Sequence, residues 1–315
     1  MTLRIVDLPA PPEVDSAGLS GPVVAVGSVR DASEFWLEHA TFTVSEDDTD
    51  DARVITVDSL DAVVADLAAR VDRWPHAAAV CDDVLRAVDV TGPALAGLVT
   101  ESLAYSTLQA GPEFARWLTE RGPAQVPVIP DPVRCDRDGD TLRIAFNRPQ
   151  RHNAFSTDAR AALLEALTVA RLDPSIDAVV LSGNGPSFCS GGDLAEFGSF
   201  ADPASAHLAR TRYSPALVLA DLAARLGPAC RAEVHGKVLG SGLEMACFCG
   251  QVVAQNDSVF GLPELQLGLI PGAGGTVSIT RRIGRWRTAY LVLSGQTIGV
   301  DTALAWGLVD RRTAS

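Results

Sequence analysis

Two glutamates stand where proton chemistry is possible. Glu264 is the only charged residue between Val259 and Thr280, inside FGLPELQLGLIPGAGGT. A carboxylate in such company is either exposed or held in an apolar pocket. A pocket raises its pKa toward neutrality, which suits a general acid or base. Glu244 lies in VHGKVLGSGLEMA, where a strand gives way to a helix. Read alone, it is a first-turn acid complementing the helix dipole. That reading leaves Gly240 and Gly242 unexplained. They flank Ser241 and place its N–H at the positive end of the helix.

Two further segments have glycines or cations at strand-to-helix junctions. In FCSGGDL (188–194), Gly191 and Gly192 free the backbone to approach a ligand with its N–H groups. An ordinary tight turn capped by Asp193 would look the same. In NRPQRHNAFS (147–156), Arg148 and Arg151 sit near a turn that could meet a phosphate or an adenine. A structural turn ending in a helix cap serves equally well. The GAGG run at 272–275 lacks the lysine and the strand-loop-helix spacing of a phosphate loop.

The chain has 315 residues, 47% of them hydrophobic, enough for one large domain and a smaller unit. Its formal charge of −13 argues against nucleic acid or an anionic membrane surface as partner. A phosphate-bearing ligand must therefore be held locally. The six cysteines form no CxxC pair and no zinc-finger spacing, so they read as reduced thiols in a cytoplasmic protein. The N-terminus does not resemble a signal peptide, and no apolar run is long enough to span a membrane.

The elements that must position these groups follow from periodicity. Residues 1–21 are Pro-rich and read as irregular. Strands are expected at 22–27 and 52–57, with SEDDTDD (45–51) as a solvated loop. Apolar residues Leu60, Val63, Val64, Leu67 and Val71 recur at helical spacing, behind an N-cap at Asp58 or Ser59. Helices are expected at 76–88 and 93–109, with a short one around Phe114. Four prolines in 122–132 mark a linker. Strands at 140–147, 178–182, 230–234 and 252–254 then alternate with helices at 157–171, 204–226 and from Ser241. That alternation predicts an α/β domain. The expected division is 1–125 and 126–315.

NRPxxxNAFS, FCSGGDL, VHGxxxGSGLE and FGLPExxLGxIPGAGGT, in this order over residues 130–312, resemble the signatures of the crotonase superfamily, and within it the enoyl-CoA hydratases. The 20 residues between Glu244 and Glu264 (264 − 244) match the separation the hydratases keep between their catalytic glutamates. The resemblance implies a crotonase-like spiral of ββα units, preceded by a smaller, mainly helical α/β N-terminal unit. It implies syn hydration of a 2-enoyl-CoA. The N–H groups of Gly192 and Ser241 would form an oxyanion hole. Glu244 would activate water for attack at Cβ, and Glu264 would handle the proton at Cα. CoA would lie along Arg148, Arg151, His152, Asn153 and Ala154, and along Ser190, Gly191 and Asp193. No metal, nicotinamide or other cofactor is implied, since CoA is part of the substrate. The implied assembly is a trimer or a dimer of trimers. Isomerisation, thioester hydrolysis, cofactor-independent oxygenation and a non-catalytic assembly role are the alternatives.

Two features depart from the family pattern. Hydratases usually carry glycine where this chain has Ser241. They also continue for several helices past the WGLVDR-like segment, whereas about 125 unmatched residues precede the core here. Residues 77–118 resemble such a helical tail, which suggests that the N-terminal unit supplies those helices from the other end of the chain.

Overall fold

The structure is a computed structural model that describes residues 2–12, 19–199 and 202–313. The N-terminal unit opens with four parallel strands in the order β1 (Arg4–Asp7), β2 (Val23–Val26), β3 (Phe42–Ser45) and β4 (Val54–Thr56), with α1 (Glu34–His39) between β2 and β3. Four helices follow: α2 (Leu60–Arg73), α3 (Pro75–Ala87), α4 (Ala94–Gln109) and α5 (Pro112–Arg121). Ser59 caps α2 by accepting from the Ala62 N–H, as its side chain suggests. Of the five periodic apolar residues of α2, Leu67 and Val71 are buried.

The rest of the chain winds between two sheets. Strands β5 (Val133–Asp138) and β6 (Thr141–Phe146) form an antiparallel hairpin. Then come α6 (Thr157–Leu172), β7 (Ala178–Gly183), α7 (Pro203–Arg212), α8 (Pro215–Leu226), β8 (Cys230–Val234), β9 (Lys237–Leu239) and α9 (Ser241–Ala246). The last elements are β10 (Gln251–Ala254), β11 (Val259–Gly261), α10 (Gly275–Ser294), β12 (Ile298–Gly299), α11 (Val300–Trp306) and β13 (Arg311–Arg312). The larger sheet has the order β13-β10-β8-β7-β6-β5, and the smaller β12-β11-β9.

Each turn of the winding lays one strand in each sheet and then a helix: β8, β9, α9, and next β10, β11, α10. The turn before them meets β9 through an isolated bridge, Cys189 beside Val238. That bridge decides the site. The Cys189 N–H donates to Lys237 O, and the Leu239 N–H donates to Cys189 O. Two segments 50 residues apart, 239 − 189, are thereby held edge to edge. This is the crotonase-like spiral the sequence suggested.

Three expectations are corrected. Residues 4–7 are a strand, because their backbone finds β2 as a partner; residues 13–18 of the expected irregular segment lie outside the described residues. Strand β3 was not foreseen. The expected helix 204–226 is two helices, because Pro215 begins the second and leaves Tyr213 and Ser214 between them. One hydrophobic core runs through both units, joining Phe42, Val71, Leu98 and Tyr105 to Phe260, Ile279 and Leu291. Among the described residues, no helix is long and apolar enough to cross a membrane.

Candidate active site

Glu244 projects from the first turn of α9, where Gly240 precedes the helix with φ +46. Both of its nearest donors come from the glycine-rich turn that starts α10. The Ala273 and Gly275 N–H groups each donate to Glu244 Oε2 at 2.7 Å. Gly275 has to be glycine, since a Cβ there would lie 2.6 Å from Glu244 Cγ. Burial pushes the Glu244 pKa up to about 7, and these backbone donors hold it from rising further.

Glu264 begins a short 3-10 turn after Pro263 and is 9% exposed. Its Oε1 points at Gly240, where a Cβ would come within 2.5 Å, so a side chain at 240 would fill the same space. Its Oε2 is buried without a hydrogen-bond partner among the described residues. Burial first, and then the neighbouring Glu244 and Glu101 charges, raise its pKa well above the usual carboxylate range. The two glutamates therefore differ in kind. One carboxylate has donors that favour its charged form, and the other has an oxygen with none.

Gly192 and Ser241 come from the two segments that the Cys189 bridge holds together. Ser241 is the first residue of α9, so its N–H has no partner within the helix. The Gly192 N–H makes no bond in the turn, whose neighbouring groups are engaged: Gly191 O accepts from the Phe155 N–H, and the Asp193 N–H donates to Phe155 O. Both residues line the same cavity as Glu244 and Glu264.

In the basic turn, the structural reading of the sequence holds for Arg148. Arg148 is 2% exposed; its guanidinium donates to Asp193 Oδ2 at 2.8 Å and to Ala154 O. Arg151, with its side chain on the surface, donates to Asp193 Oδ1 at 2.7 Å. Burial alone would raise the Asp193 pKa, but the two arginines more than offset it and hold the group below the usual range. Asn153 takes φ +55 and ties the turn to Arg148, Asn184 and Ser187. His152 faces Ser187 Oγ through Nδ1, and its carbonyl accepts from the Ser190 N–H. Arg148, Asn153 and Asp193 are thus spent on shaping the loops. Ala154 and Gly191 are buried with them, which leaves exposed Arg151 and half-buried His152 and Ser190 as the accessible part of the turn.

The cavity, about 170 Å³, has two walls that carried no chemical signal in the sequence. Residues 196–198, Arg210 and residues 213–215 form one. Helix α4 forms the other, with Leu98, Glu101, Ser102, Tyr105 and Gln109. Arg210 stacks on the Tyr105 ring, 4.4 Å from its centroid, and donates to Ser102, Ser106 and Gln109. Arg160 also lines the cavity, and neither arginine forms an ion pair among the described residues. Glu101 is the site residue that sequence reasoning missed. A buried acid inside LVTESLAYSTL was the available signal, and it looks the same as an acid on a solvated helix face.

Two sheets wound in a ββα spiral, with paired backbone donors at their junction, define the crotonase fold. Residues 137–315 match the family model described as enoyl-CoA hydratase/isomerase, and the chain belongs to that family. It is 34% identical over 181 residues to a probable enoyl-CoA hydratase of Mycobacterium tuberculosis, covering 57% of this chain and 67% of that protein. It is 39% identical over 174 residues to the 2,3-dehydroadipyl-CoA hydratase of Escherichia coli, covering 55% and 66%. Among solved structures, the enoyl-CoA hydratase of Thermoplasma volcanium matches with a TM-score of 0.51 at 33% identity, over 58% of this chain and 72% of that one. In each case the match spans roughly two thirds of the relative, and residues 1–136 lie outside the family-model match.

Proposed function

We propose that this protein adds water to 2-enoyl-CoA thioesters, giving 3-hydroxyacyl-CoA by syn addition. The observation that carries the reading is the unequal pair of buried glutamates beside two unused backbone N–H groups. The thioester carbonyl would accept from the Gly192 and Ser241 N–H groups. Charge that develops on this oxygen as Cβ is attacked would be stabilised there, and one such donor is worth about 3–4 kcal/mol of barrier. Glu244, ionised near neutral pH, would take a proton from water as its oxygen bonds to Cβ. Glu264, protonated because its buried oxygen lacks a donor, would deliver a proton to Cα. One proton gained and one given leave the pair to exchange a proton before the next turnover.

Arg151, His152 and Ser190 would contact CoA, while the buried Arg148, Asn153, Ala154, Gly191 and Asp193 would shape that surface from behind. The relatives named as hydratases support the same chemistry. We place the protein in the cytoplasm as a trimer or dimer of trimers, which light scattering on the purified protein tests. The activity is tested by following loss of the enoyl-thioester absorbance of crotonyl-CoA. An active wild type with Glu264→Gln reduced at least ~100-fold is the expected result. A wild type inactive on short, long and aryl enoyl-CoAs would overturn it.

A further inference from the structure

The turn that holds Glu244 also holds a third carboxylate, which comes from the N-terminal unit. Residues 273–276 present four successive N–H groups at the start of α10. Those of Ala273 and Gly275 point to Glu244 Oε2, both at 2.7 Å. The alternate ones point the other way, Gly274 to Glu101 Oε1 at 2.7 Å and Thr276 to Glu101 Oε2 at 2.9 Å. The Thr276 hydroxyl adds a third donor to Glu101 Oε2 at 2.7 Å. Glu101 is 1% exposed, lines the cavity and belongs to α4, 143 residues before Glu244 (244 − 101).

We infer that Glu101 is a positioning residue for the reaction: it fixes the 273–276 turn from one side so that the alternate N–H groups present a set geometry to Glu244. The inference rests on the hydratase reading for its kinetic consequence, though not for its structural one. A carboxylate suits the place because a helix N-terminus leaves its first N–H groups without partners, and two acceptor oxygens can satisfy donors on both sides of the turn. Among the described residues, no main-chain group accepts from the Gly274 or Thr276 N–H in its place. The N-terminal unit therefore completes the active site as well as covering it.

The position also gives Glu101 an electrostatic part. It faces Glu244 on α9, Glu264 after β11, Tyr105 on its own helix and Arg210 on α7. Burial and the Glu244 charge push its pKa up to about 8, against the opposing bonds from Thr276 and Gly274. Above that pH its charge in turn helps keep the proton on Glu264. Removing that charge lowers the Glu264 pKa. The alkaline limb of the rate profile, where the acid is lost, then moves to lower pH.

The test is Glu101→Gln in the full chain. Glutamine keeps the size but has one acceptor oxygen, and its NH2 must face either Gly274 N–H or Thr276 N–H. We expect kcat for crotonyl-CoA to fall about 10-fold or more with KM within about twofold, and the alkaline limb to shift down. Thr276→Val removes one donor to Glu101 without touching its charge directly, and gives a smaller change in the same direction if Glu101→Gln does not fold. Carboxyl 13C NMR of glutamate-labelled protein, assigned with Glu244→Gln and Glu264→Gln, reads the Glu264 titration without any turnover. Wild-type kcat, an unmoved profile and an unmoved Glu264 titration in both variants would overturn the inference. So would a lowered melting temperature with no other change, which a purely structural Glu101 predicts. An inactive wild type would sink the hydratase reading alone, because the NMR titration still decides the role of Glu101.

Discussion

Gly275→Ala probes the geometry of the proposed base without touching a titratable group. The alanine Cβ would lie 2.6 Å from Glu244 Cγ, 2.9 Å from Oε2 and 3.0 Å from Cδ. Non-bonded carbons settle at about 3.5–4.0 Å, so the Glu244 side chain must retreat by about 1 Å. That lengthens its 2.7 Å bond from the Gly275 N–H past the limit of a useful hydrogen bond. A hydrogen bond to a charged group contributes about 1.5–3 kcal/mol. Losing it disfavours the ionised form alone, so the Glu244 pKa rises from about 7 by about one to two pH units. The base works deprotonated, and activity is lost as pH falls through its pKa. The acid limb of the rate profile therefore moves up, and the rate at pH 7 falls about 5- to 50-fold. The assay is crotonyl-CoA hydration from pH 5 to 9, with circular dichroism to check the fold. Gly299→Ala is the control, because nothing lies within 4 Å of the added carbon. A Gly275→Ala enzyme with an unmoved acid limb would refute the claim that this turn sets the state of Glu244.

Arg148→Met leaves the buried Asp193 with the surface Arg151 as its one charged partner among the described residues and should cost about 3–5 kcal/mol in denaturant unfolding. Because the Asp193 pKa is depressed in the fold, its contribution is present above its unfolded pKa and fades as pH falls through the folded one, so the wild-type advantage should shrink in acid. Deleting residues 1–125 strips α10 of α3 and α4 and opens the shared core, so residues 126–315 alone should be insoluble or unfolded; a soluble, fully active fragment would end the idea that the N-terminal unit supplies the helices. Arg160, lining the cavity with no ion pair among the described residues, should lower KM for an enoyl-CoA whose acyl chain ends in a carboxylate relative to crotonyl-CoA. Arg160→Gln should raise that KM by about fivefold or more and affect crotonyl-CoA less; equal effects on both substrates would contradict this.

The chain itself determined most of the spiral and one half of the site. Glycine at 240, 242 and 275 and the apolar company of Glu264 are local facts, and each limits what backbone and pocket can form there. Helices α2 to α6 were legible for the same reason, since their periodicity and caps lie within a few residues. Strands β1 and β3 were not, because four residues owe their extended form to partners elsewhere in the chain. The same holds for chemistry. Arg148 reads equally as a ligand-facing cation or as part of a structural turn, and it is buried against Asp193, 45 residues on, 193 − 148. Glu101 lies in a helix that carries no recognisable chemistry in the sequence, yet it sits beside Glu244. Which way a helical side chain faces is set by what packs on the helix, and α4 packs on the start of α10, far along the chain. Sequence established that two glutamates and two glycine turns belong together; only the tertiary structure brought the third carboxylate and the wall around them.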